Sequence, residues 1–135
     1  MIIILTLDDK NAVSFARKRQ ASDRAVADYM SNITQGAPLY IKEKSTSFFK
    51  NCTTPPTLCA VDSFDNLKDG DVCFMEEVPS TQLMAQAEKL IVFRWNRNYP
   101  SMTNERVNLS GWNFECSLEF PGYSHEKITM EVLLK

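Results

Sequence analysis

The segment Arg94-Trp95-Asn96-Arg97-Asn98-Tyr99-Pro100 gathers guanidiniums, amides and aromatic rings into one short stretch. Arginine can grip a carboxylate or phosphate through paired N–H donors, and Trp or Tyr can stack on a planar ring. The stretch closes an apolar run beginning at Lys89, and the C-terminal ends of strands line the ligand crevice of open α/β sheets. The plainer reading is an edge strand whose Trp packs and whose arginines are solvated. A second basic cluster, Arg17-Lys18-Arg19, can meet a phosphate, a nucleic acid or an acidic protein, or can simply be a solvated loop. Asp23 stands ahead of an amphipathic segment, where a carboxylate serves as a helix cap. Ser124-His125-Glu126-Lys127 sets a histidine beside a carboxylate. Adjacent strand residues point to opposite faces, so the pair reads as an ordinary strand start.

Other chemistries are excluded by what is missing. The chain has one histidine, His125, with no HxH or HExxH spacing, and its cysteines (Cys52, Cys59, Cys73, Cys116) form no CxxC pair, so no zinc site is expected. With no export signal in view, the cysteines read as buried thiols and the setting as cytoplasmic. The Ile2-Ile3-Ile4-Leu5 run is too short for a membrane span and meets Asp8-Asp9-Lys10 at once. The net charge of −2 gives no overall pull toward nucleic acid. Its distribution is uneven: residues 1–50 hold eight basic and five acidic side chains (+3), and the remainder seven and twelve (−5). A chain of 135 residues with 44% hydrophobic and 24% charged side chains forms a single domain, residues 1–135.

The elements that must position these residues follow from periodicity. Met1–Leu7 is a nearly continuous apolar run, as in a strand covered on both faces. Asp8–Ala21 reads as a polar loop interrupted by Phe15. Ser22 or Asp23 caps a helix with Val26, Tyr29, Met30 and Ile33 on one face, ending at Gly36 and Pro38. Then come a strand over 38–42, a short helix over 45–51 with Phe48-Phe49 inward, and strands over 58–61 and 71–75. A helix over 81–88 capped by Ser80 leads to a strand over 89–95. The segments 113–120 and 126–134 alternate as two strands with Pro121-Gly122 turning between them. Alternation of strands and helices predicts a three-layer αβα domain on a mostly parallel sheet, with a C-terminal antiparallel pair.

The order of these elements and four blocks of residues resemble a shortened dihydrofolate reductase. Leu5–Asn11 is similar to that family's first strand and turn, although Ala12 replaces a glycine. Ala37-Pro38-Leu39-Tyr40-Ile41 with Lys44-Ser45-Thr46, then Lys89-Leu90-Ile91-Val92, then Tyr99-Pro100 with Trp112, are similar to its later blocks. The resemblance implies a cofactor cradle in which Lys44 holds a phosphate and Thr46 opens a helix. It also implies a glycine where Glu43 stands and paired glycines where Glu76-Glu77 stand. Carboxylates there repel a diphosphate and keep it from the backbone, which disfavours NADPH. The family's substrate carboxylate falls on Val26, with Asp23 one turn earlier as the weak stand-in for a catalytic residue, and Arg19-Gln20-Ala21 replaces the family's Pro-Trp. The Arg-Gln-x-x-Asp and Arg-Trp-Asn-Arg-x-Tyr-Pro segments are also similar to short Firmicute proteins, some of which carry the name ribonuclease Z. That two-metal chemistry needs a His/Asp cluster that one histidine cannot supply.

Three functions follow from the resemblance. The first is a divergent member without reductase activity that binds a small anionic or aromatic ligand, or a partner protein, in the old cleft. Lys44, Thr46, Arg94, Asn96, Arg97 and Arg19 are its binding residues, with Asp23 facing the ligand. The second is an NADPH-dependent reductase of unusual specificity. The third is a non-catalytic interaction protein that uses the basic loop 17–24. Membrane and nucleic-acid partners are not expected.

Overall fold

The fold was analysed in a computed structural model, in which residues 1–15, 18–19, 22–97 and 106–135 are described, with backbone alone for 14–15 and 18–19. Arg17, Gln20, Ala21, Asn98, Tyr99 and Pro100, all expected near the site, lie outside the described residues, as does the Arg19 side chain. In chain order the elements are β1 (Ile2–Leu7), β2 (Ser14–Phe15), β3 (Lys18–Arg19), α1 (Arg24–Thr34), β4 (Pro38–Ile41), a 3-10 helix (Glu43–Phe49), β5 (Thr57–Ala60), β6 (Val72–Met75), α2 (Thr81–Gln86), β7 (Lys89–Arg94), β8 (Asn113–Phe120) and β9 (Ile128–Leu134).

The main sheet has seven strands in the order β5-β4-β6-β1-β7-β9-β8. The strands from β5 to β7 run parallel, and β9 and β8 close the sheet antiparallel. β1 lies at the centre because its apolar run can be covered twice. Ile4 faces the layer formed by α1 and the 3-10 helix, while Ile3, Leu5 and Leu7 face the layer of α2. Val26, Ala27 and Met30 of α1 pack with Phe48, Phe49, Phe74 and Phe93 on the first side. Leu83 and Ala87 pack with Cys73, Met75, Leu90 and Val92 on the second. Each fully buried side chain of this size is worth about 1.5–3 kcal/mol over its exposed state, enough to hold both helical layers on the sheet. The expected three-layer αβα architecture with its C-terminal antiparallel pair is therefore present.

Several local expectations are corrected. The helix expected over 45–51 is a 3-10 helix, closed by Ser45 N–H to Lys42 C=O at 2.9 Å and Lys50 N–H to Ser47 C=O at 3.3 Å. Lys42 supplies no side-chain cap, and the tighter winding still turns Phe48 and Phe49 inward. The loop expected over 8–21 contains the small hairpin β2–β3, with Ser14 opposite Arg19. α1 ends where Gln35 and Gly36 take left-handed backbone (φ 49° and 88°). β9 begins at Ile128, so His125 lies in the β8–β9 loop and is buried there.

That loop approaches α1 very closely at Gly122. A methyl group there would meet the Ile128 side chain, with the His125 carbonyl at 2.8 Å and an Asp23 carboxylate oxygen at 3.0 Å. Gly122→Ala is therefore expected to destabilise the protein by about 1–3 kcal/mol through steric displacement. Urea unfolding checks this, and an unchanged midpoint would contradict the packing.

Candidate functional site

The site is organised by two carboxylates on α1. Asp23 is the N-cap, and its Oδ1 accepts from the N–H groups of Ala25 (2.8 Å) and Val26 (3.3 Å). Its Oδ2 accepts from the N–H groups of Tyr123 (2.7 Å) and Ser124 (2.6 Å) and from the Ser124 hydroxyl (2.8 Å). The β8–β9 loop is thus tied to the start of α1 by one side chain that is 2% exposed. Burial alone would raise the Asp23 pKa, but the hydrogen bonds from Ser124, Val26 and Tyr123 outweigh it and hold the carboxyl below its ordinary value. Further along α1, Asp28 Oδ1 accepts from the N–H groups of Thr53 (3.0 Å) and Thr54 (3.1 Å), anchoring the loop after the 3-10 helix.

A carboxylate only accepts, so Ser124 spends its single proton on Asp23. The Ser124 oxygen then accepts from His125 Nδ1–H at 2.7 Å, which selects that tautomer. The His125 ring stacks on Trp95, centroids 4.8 Å apart. Trp95 is itself buried, and its Nε1 has no hydrogen-bond partner among the described residues. Burial first, then the charge of Arg97, lowers the His125 pKa, with Asp23 pulling the other way.

Between α1 and the 3-10 helix lies a cleft of about 510 Å³ lined by Ser22, Asp23, Arg24, Ser47, Phe48, Asn51, Cys52 and Tyr123. The Arg24 guanidinium lies 3.9 Å over the Tyr123 ring, so a cation and an aromatic face meet at one wall. Cys52 donates to the Phe49 carbonyl, and burial together with the Asp28 carboxylate pushes its thiol pKa up. A thiol held protonated is a poor nucleophile, so Cys52 is not activated as a thiolate.

The sequence-predicted residues distribute around this cleft unevenly. Lys44 and Thr46 are exposed on the 3-10 helix that forms one wall, and the Thr46 hydroxyl donates to the Glu43 carbonyl at 2.8 Å. Lys44 pairs with Glu77 at 3.7 Å, and Glu77 also holds Lys42 at 3.4 Å. Glu77 thus lies between two lysines at the C-terminal ends of the neighbouring strands β4 and β6. β7 is an inner strand between β1 and β9 rather than an edge, and Arg94 is mostly buried: its Nε meets Glu131 at 2.8 Å, and its Nη1 donates to the Asp8 carbonyl and the Asn11 side chain. Asn96 takes left-handed backbone (φ 58°) and donates to the Lys127 carbonyl and the Thr129 hydroxyl. Arg94 and Asn96 therefore pin loops, Arg97 is exposed near His125, and Asp23 borders the cleft with both oxygens engaged. Sequence reasoning missed Ser47, Asn51 and Tyr123. Arg24 entered it only as the end of the basic loop 17–24, expected as a contact surface for a partner, and nothing local links Tyr123 to α1.

No protein-family model matches this sequence, and no curated protein does. Solved structures do match. Dihydrofolate reductase from Enterococcus faecalis, complexed with NADP(H) and RAB-propyl, superposes with a TM-score of 0.62 over 98% of this chain and 94% of that one. The fold is dihydrofolate-reductase-like. The identity between the two chains is 10%, so the likeness is one of fold. Among the described residues no group of three or more His, Cys, Asp or Glu could hold a metal ion, and no helix is long and apolar enough to cross a membrane.

Both latch residues give stability that is lost in acid. His125 has a lowered pKa and is kept neutral, so its share is complete above the ordinary imidazole value of about 6.5 and falls away as pH drops below it. Asp23 has a lowered pKa and is kept charged, so its share is complete above about 4 and is lost as pH falls through its folded value. Urea unfolding across pH should show both losses. His125→Phe should remove the upper one and Asp23→Asn the lower. Asp23→Ala should cost about 2–4 kcal/mol by removing the cap and stranding two loop N–H groups. A pH profile identical in wild type and both variants would contradict the latch.

Proposed function

We propose that this protein is a dihydrofolate-reductase-like domain without reductase activity that binds a small anionic, aromatic ligand in the cleft between α1 and the 3-10 helix. The observation that carries the reading is the placement of Glu77. Its carboxylate already pairs with both Lys42 and Lys44 at the C-terminal ends of β4 and β6, so a diphosphate arriving there meets a carboxylate that must first be displaced. The 510 Å³ cleft on the other side of the 3-10 helix stays open, and it offers a cation, hydroxyls, an amide and aromatic faces together.

In this reading Arg24 pairs with the ligand's anionic group, Tyr123 and Phe48 face its ring, and Ser47 and Asn51 supply hydrogen bonds. Lys44 and Thr46 add a rim on the same 3-10 helix, with Arg97 and Arg19 as further cations. Arg94 and Asn96 act through the loops they hold. The four cysteines are all free thiols, which suits a reducing, cytoplasmic setting.

The test is a thermal-shift titration with NADPH, NADP, dihydrofolate, nucleotides and aromatic carboxylates. Ligand at about 100-fold its Kd adds roughly 2.7 kcal/mol of stability. A carboxylate-bearing aromatic is expected to stabilise the wild type, and Arg24→Met or Asn51→Leu to weaken that shift about tenfold or more in affinity. NADPH is expected to shift Glu77→Gln more than wild type. A strong NADPH shift in the wild type, with hydride transfer to a pterin, would overturn the proposal.

A further inference from the structure

β8 is the outermost strand on its side of the sheet, and Asn113–Glu119 are all exposed. A strand in this position presents unpaired N–H and C=O groups along its outer side, a template for another strand. Here the template also carries large apolar side chains, with Phe114 59% and Leu118 45% exposed.

We propose that β8 is a self-complementary dimer edge, on which the β8 of a second copy pairs antiparallel to give one sheet running through both chains. The choice of a second copy rests on register. Antiparallel neighbours that lie opposite each other point to the same face, so only pairings between residues an even number apart are possible. The irregularity between Phe114 and Cys116 confines regular pairing to Cys116–Phe120, before Pro121 ends the ladder.

Within that stretch the alternatives separate by length and charge. Centring the pair on Ser117 leaves only Cys116, Ser117 and Leu118 in regular pairing, because Glu119 then meets the irregular Glu115 of the copy. Centring it on Glu119 sets that residue against itself, like charge against like. Centring on Cys116 runs the pairing across the irregularity. Centring on Leu118 places Leu118 against Leu118, Cys116 against Phe120 and Ser117 against Glu119. This register keeps apolar residues together on the α1 face, where Leu118 and Phe120 lie opposite Met130 and Ile128 of β9. Glu119 on the other face is already held by Lys127 at 3.6 Å.

Light scattering and sedimentation over a wide concentration range test the proposal on the intact chain. The wild type should reach twice the chain mass. Leu118→Glu, at an exposed position, should stay folded with an unchanged far-UV circular dichroism spectrum and associate about tenfold or more weakly, since two carboxylates would oppose each other. The register is tested separately: Leu118→Cys in a Cys116→Ser background should cross-link readily on mild oxidation, whereas Cys116 in the wild type should not. A wild type monomeric at every concentration overturns the proposal. So does a Leu118→Glu variant that dimerises normally, or a Cys116 that cross-links as readily as Leu118→Cys.

Discussion

The carboxylate of Asp23 is the constraint on which the functional end of this domain depends. It caps α1 with one oxygen and holds the β8–β9 loop with the other. Through Ser124 it selects the His125 tautomer, and His125 in turn lies flat on Trp95. The wall that carries Tyr123, the His125–Trp95 stack and the first turn of the helix are thus tied to a single side chain. A buried carboxylate is stable there only because five donors converge on it, which offsets the loss of its hydration.

The other wall follows the same principle with different partners. Asp28, farther along the same helix, holds Thr53 and Thr54 and so places the end of the 3-10 helix. Arg94 draws Asp8, Asn11 and Glu131 together beneath the sheet edge, and Asn96 fastens the start of β9. Polar residues that could recognise a ligand are here spent on joining loops to the scaffold. What stays available in the cleft is smaller: Arg24 at the start of α1, Ser47 on the 3-10 helix, Asn51 just after it and Tyr123 on the β8–β9 loop. At the neighbouring edge, Glu77 supplies from within the chain the negative charge that Lys42 and Lys44 would otherwise seek from a ligand.

Much of the architecture was legible in the sequence. The apolar run of β1 and the i, i+3, i+4, i+7 spacing in α1 each report a local period set by burial, whereas β8 and β9 were legible from alternation although Asn113–Glu119 are all exposed. The capping role of Asp23 and the inward Phe48-Phe49 pair were legible for the same reason. The candidate site was legible only in part. Asp23 lines the cleft, whereas Lys44 and Thr46 share the 3-10 helix without lining it, and Arg94 and Asn96, chosen for their chemistry, are engaged by residues far away in the chain. His125, read as an ordinary strand start, is buried because β9 begins later than its alternation suggests.

By itself the sequence determined where most helices and strands form and which faces they bury. These depend on neighbouring residues and on the repeat of each element. Only the tertiary structure decided which charges meet: Asp23 with a serine 101 positions away, Arg94 with Glu131, and Glu77 with two lysines. Electrostatic partners are chosen by distance in space and by the water excluded around them, and neither is a property of any segment taken alone.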